Sequence, residues 1–107
     1  MELHKLEDFV KGWVIGDFLP SLYVNQYVEV GIKFFKKGSV EEAHKQLIAT
    51  EITVVIEGKV RLGSRICESG DIILIPPNEV VDFESLTESK LVCIKFPSIP
   101  IDKVISR

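Results

Sequence analysis

Between Gln26 and Lys36 apolar and polar residues alternate, and no other feature restricts the fold of this chain as much. Val28, Val30, Ile32 and Phe34 fall on one side and Glu29, Gly31 and Lys33 on the other, with Tyr27 and Phe35 as large exceptions. A period of two places successive side chains on opposite faces of a β-strand. Further runs with strand character follow at Glu51 to Glu57, Lys59 to Leu62, Ile66-Cys67, Ile72 to Ile75, Val80 to Glu84 and Lys90 to Phe96, and Trp13 to Phe18 precedes them. Turn residues punctuate them: Pro20-Ser21, Gly58, Gly63-Ser64, Ser69-Gly70-Asp71 and Pro76-Pro77-Asn78. Short strands at intervals of roughly ten residues, with almost no helical period, predict an all-β antiparallel sandwich or barrel. Three segments stand outside the pattern. Residues 1–12 read as an N-terminal arm, with Leu3, Leu6 and Phe9 on one helical face. Lys36 to Lys45 reads as a polar loop in which Ser39 to Glu42 resembles a capping box and starts at most one helical turn. Residues 97–107 read as a tail broken by Pro97 and Pro100.

A polar cluster is set into this apolar background. His44, Gln46 and Glu51 lie between Gly38 and Gly58, and the i, i+2 spacing of His44 and Gln46 gives them one face if the backbone is extended. On the strand from Glu51, Thr53 and Val55 share the face of the carboxylate. Ile52, Val54 and Ile56 then point away and need a cover: the arm, a second sheet, or the same surface of another subunit. Each of the three polar residues also has an ordinary reading: a surface histidine, a loop amide and an exposed edge charge. If they point inward they must be hydrogen-bonded, because an unpaired buried polar group costs about 2 kcal/mol or more; a His44–Glu51 pair would satisfy both partners.

The spacing of Gly38, His44, Gln46, Glu51 and Gly58 resembles the first motif of the cupin superfamily, G-x5-H-x-H-x(3,4)-E-x6-G, with glutamine in place of the second histidine. The second cupin motif, G-x5-P-x-G-x2-H-x3-N, can be laid over Gly70, Pro76, Asn78, Val81 and Ser85, where only the glycine and the proline match. The resemblance covers somewhat under half of the chain. It implies a cupin-like antiparallel β-barrel, the double-stranded β-helix or jelly roll, and in ordinary members a metal held by three histidines and the glutamate. Carried over, His44 and Glu51 survive, Gln46 takes the second position and Val81 the last. Valine offers no lone pair, and an amide oxygen is a poor substitute for imidazole toward transition metals. No cofactor is therefore expected, or at most a weakly held divalent transition metal on His44, Gln46 and Glu51. The leading expectation is a small protein that binds a small polar ligand through these three residues, or has a structural or regulatory role. The alternative is a metal-dependent or acid/base enzyme, of sugar isomerase, epimerase or oxygenase type, with His44 and Glu51 as the catalytic pair. A third reading, a purely structural β-domain, predicts no ligand-sized cavity.

Composition narrows the partners. At 107 residues the chain is expected to be one domain with one core. Thirteen basic and sixteen acidic side chains are interleaved, leaving a net charge of -3 with no basic stripe, so neither nucleic acid nor an anionic membrane is an expected partner. The charged residues from Glu2 to Asp8 leave no apolar stretch there for a leader or a span, which suggests a cytoplasmic protein with Cys67 and Cys93 reduced. Many cupins dimerise through sheet surfaces, and the apolar face at Ile52, Val54 and Ile56 is compatible with a homodimer.

Overall fold

In a computed structural model that describes residues 1–105, the strands are β1 (Trp13–Ile15), β2 (Glu29–Phe35), β3 (Val40–Gln46), β4 (Thr50–Glu57), β5 (Lys59–Leu62), β6 (Arg65–Glu68), β7 (Ile72–Ile75), β8 (Val81–Ser85), β9 (Ser89–Phe96) and β10 (Lys103–Ile105). They form two five-stranded sheets, ordered β1-β2-β9-β4-β7 and β10-β3-β8-β5-β6. Every pairing is antiparallel. The architecture is the jelly roll implied by the motif resemblance.

Register explains which side chains face inward. Across β2, β9, β4 and β7 one row reads Glu29, Lys95, Glu51 and Ile75, and the next Gly31, Cys93, Thr53 and Ile73. The intervening rows, Val30-Ile94-Ile52-Leu74 and Ile32-Val92-Val54-Ile72, belong to the opposite face. Residues directly opposite one another in an antiparallel pair share a face, so the first sheet has a polar inner face and an apolar outer one. Part of the space between the sheets is filled by Val55, Val60, Cys67, Phe83 and Leu91, with Phe35, Leu62 and Ile73 packed against them. The Phe35 and Phe83 rings meet at 4.6 Å in a tilted arrangement. The hairpin from β4 to β5 turns at Gly58, where φ is +93° and a Cβ would overlap the Glu88 carbonyl oxygen; only glycine fits there.

Two segments differ from the sequence expectation. Lys36 to Lys45 is no loop: β3 occupies most of it, paired on one side with β8 and on the other with β10. Its polarity hid it, because its inner residues face a polar cavity and its outer ones face water. The segment beyond Pro97 is no loose tail, since β10 joins the second sheet and Ser98 and Asp102 are buried at 3% exposure. The arm contains two 3-10 turns, Leu6–Asp8 and Val10–Gly12, and it lies against β2.

Candidate functional site

A cavity of about 490 Å³ lies between the sheets. The first sheet contributes Glu29, Lys33, Glu51, Thr53, Cys93 and Lys95, and the second Glu41, His44, Gln46, Val81 and Phe83. A bulge in β3 sets up the second wall. Glu41 pairs with Phe83 and His44 with Val81, so three steps on β3 match two on β8. Without the extra residue, Glu41 and His44 would point to opposite faces; the bulge turns both inward. Gln46, two residues on, shares that direction.

The three polar residues singled out in the sequence all line the cavity, and no hydrogen bond joins His44 to Glu51. Glu51 accepts a hydrogen bond from Thr53 Oγ1 at 2.9 Å and lies 3.9 Å from Lys95 Nζ. The Nδ1 of His44 is 2.9 Å from the Glu42 carbonyl oxygen. The anticipated His44–Glu51 pair is therefore replaced by separate partners. Gln46 is 6% exposed, and its Nε2 finds no acceptor among the described residues.

Several groups with equal claim to a functional role were missed in the sequence. Trp13 packs over Gly31, whose missing side chain makes room for the indole. The ammonium groups of Lys33 and Lys95 lie 4.8 and 5.0 Å from the Trp13 ring centroid, within cation–π range. Glu29 is 5% exposed and accepts a bond from Ser98 Oγ at 3.3 Å. Burial raises its pKa above the ordinary carboxylate value, an effect that Lys95 partly offsets. Burial likewise lowers the pKa of Lys33. It pushes the Cys93 thiol up to about 11, so that sulfur is a protonated packing group at neutral pH and a poor nucleophile. The signal for Glu29 and Lys33 was present: they occupy the polar face of the alternating strand, the face that Glu51 shares.

The side chains at the four cupin ligand positions do not fit a transition metal. Val81 sits directly opposite His44 with no donor atom, Gln46 supplies only an amide, and Glu51 already has an ammonium 3.9 Å away that opposes a cation. Among the described residues no three His, Cys, Asp or Glu side chains are grouped to hold a metal.

No family model matches the chain, and no curated protein matches its sequence. Solved structures do resemble it. An uncharacterised conserved protein with a double-stranded β-helix domain from Klebsiella pneumoniae superposes with a TM-score of 0.76, over 97% of this chain and 90% of that one, at 13% identity. An RmlC-like cupin from Shewanella frigidimarina gives 0.63 over 71% of each chain at 20% identity. A DMSP lyase from Ruegeria pomeroyi gives 0.66 over 80% of this chain and 46% of that one at 13% identity. The fold is that of the cupins. At such identities the likeness speaks for the fold, and activity has to be argued from the side chains in the cavity.

Proposed function

We propose that this protein binds a small polar ligand in the cavity between its sheets, works in the cytoplasm, and does so without a firmly held metal. The carrying observation is the cavity itself. Its volume falls in the usual range for small-ligand sites, about 300 to 1,000 Å³, and aromatic walls surround a few inward-pointing charged groups. A purely structural β-domain has no need of buried charges at that position. The weakness of the metal site follows from Val81, Gln46 and the Lys95 ammonium beside Glu51. Purified protein is expected to carry well under one equivalent of Fe, Mn, Ni, Co or Zn. A bound metal at 100 times its dissociation constant would stabilise the fold by about 2.7 kcal/mol, so a large rise in melting temperature with any one of these ions would overturn this reading.

A second reading has one observation in its favour. His44 Nδ1 is engaged by the Glu42 carbonyl, which leaves Nε2 as the nitrogen free to exchange a proton with a ligand. An isomerase, epimerase or related acid/base enzyme would use it together with Glu51. Turnover of a bound ligand that disappears in His44→Gln while binding persists would favour this reading over simple binding.

We also propose that the outer face of the first sheet is covered by a second copy of the chain. The rows through Ile52 and Val54 are continuous and apolar, and at their ends Ile72 and Leu74 are 69% and 60% exposed. Soluble monomers seldom leave such a surface in water, and a symmetric pair is the commonest way to bury it.

A further inference from the structure

Of the five lysines that line the cavity, Lys11, Lys33 and Lys45 have no carboxylate within 4.0 Å among the described residues, and Lys33 is the one held over the Trp13 ring. Lys95 has Glu51 at 3.9 Å and Lys103 has Glu41 at 3.8 Å. Lys33, half-buried, has no carboxylate within 4.0 Å among the described residues. Its Nζ donates instead to the Lys11 carbonyl at 2.8 Å and rests over the Trp13 ring. An ammonium carries three donors, so Lys33 has binding capacity to spare. Gln46 supplies a second, independent observation from the opposite sheet. Its side chain is more than nine-tenths buried and lines the same cavity, and its Nε2 has no acceptor among the described residues. A buried donor left unsatisfied is costly, and an acceptor oxygen on a ligand would remove that cost. Lys33 on β2 and Gln46 on β3 belong to facing sheets, so one molecule reaching both would span the cavity.

Accepting the cavity as a ligand site, we infer that its ligand is a small organic monocarboxylate with a second, neutral oxygen acceptor such as a ketone or hydroxyl. The carboxylate would sit on the Lys33 ammonium and the neutral oxygen on the Gln46 amide. The lining carries five lysines and four glutamates, one positive charge in excess, which a single negative charge matches. A phosphate dianion would face Glu29 and Glu51 with too little positive charge to offset them. The lowered pKa of Lys33 is consistent with this, because burial disfavours its charged form more than Glu41 favours it, and a bound carboxylate would favour it further.

The chain's single tryptophan is Trp13, whose ring lies against the Lys33 and Lys95 ammonium groups, so its emission reports on binding directly. The test titrates the whole protein with levulinate, with pentanoate, which lacks the ketone, with levulinamide, which lacks the charge, and with inorganic phosphate. Levulinate is expected to change the emission saturably, and pentanoate, levulinamide and phosphate to bind at least tenfold more weakly. Lys33→Met should abolish the preference for levulinate over levulinamide, and Gln46→Met the preference for levulinate over pentanoate. Each comparison is made within one protein, so the unmodified chain alone decides the ligand class if a variant folds poorly. Equal binding of levulinamide or pentanoate, or tighter binding of phosphate, would overturn the inference and leave the cavity as a ligand site of other chemistry. A lack of response to every probe would also overturn it, and if neutral and cationic metabolites then fail as well, the ligand-site reading falls with it.

Discussion

The Asp102 carboxylate accepts hydrogen bonds from the Ile48 N–H at 3.0 and 2.9 Å and from the Ala49 N–H at 2.7 Å. It thereby fixes the turn that joins Gln46 on one sheet to Glu51 on the other. Hydrogen bonds to a charged group contribute about 1.5 to 3 kcal/mol. Asp102→Ala is therefore expected to lower unfolding stability by about 2 kcal/mol or more, read as a lower denaturant midpoint at unchanged slope. An unchanged midpoint would mean that the turn holds without it. Glu29 gives a prediction with a definite sign. Its pKa is raised above 4.5, mainly by burial, so its contribution to stability is fully present below pH 4.5 and is lost as pH rises through the folded-state value. Glu29→Gln keeps the group neutral at every pH. The variant should melt above the parent at pH 7, and the gap should close below pH 4.5. A constant gap across that range would show that ionisation of Glu29 does not matter. These two residues mark what was legible at this scale. The alternation in β2 put Glu29 and Lys33 together on its polar side without showing that this side lines a cavity, whereas nothing in the proline-broken stretch from Pro97 distinguished Asp102 as a buried turn clamp.

Among the elements, β4 was the easiest to read and β3 the hardest, for one physical reason. In β4 the faces differ in chemistry: Thr53 and Val55 are buried at 2% and 0% exposure, while Ile56 on the other face is 54% exposed. In β3 both faces carry polar residues, and the bulge between Glu41 and His44 shifts the phase of the pattern. The distinction can be tested by paired substitutions in β4. Ile52→Asp puts a charge into the apolar outer row and is expected to cost on the order of 3 kcal/mol or more if that row is covered. Glu51→Leu should cost less than half as much, because Lys95 keeps Glu29 opposite it. Equal stability of the two variants would mean that the outer row faces water. The bulge and the His44–Val81 pairing also bear on the motif alignment. Gln46→His combined with Val81→His should create measurable nickel or zinc binding, since both positions face the cavity next to His44. Failure to gain any affinity would show that the two motifs do not converge as aligned.

For the molecule as a whole, the sandwich was legible because glycine and proline turns divide the chain into strands of even spacing, and the Gly38 to Gly58 motif fixed which sandwich it is. The division of the first sheet into a polar inner face and an apolar outer face was visible only in β2 and β4; pairing with β9 extends it across the whole sheet. If a second copy covers the outer face, light scattering at micromolar concentration should give twice the chain mass of 12.1 kDa, and Ile52→Asp should return it to one chain. A mass of one chain for the unmodified protein would hand the covering role to the arm. The ligand-site reading depends on a single measurement above all others, the melting temperature in a panel of small anionic, neutral and cationic metabolites. A true ligand at 100 times its dissociation constant adds about 2.7 kcal/mol, a rise on the order of 10 °C for a domain of this size. At least one anionic compound is expected to give such a saturable rise at a stoichiometry of one per chain, whereas a panel in which no compound of any charge moves the transition would contradict a binding role for the cavity.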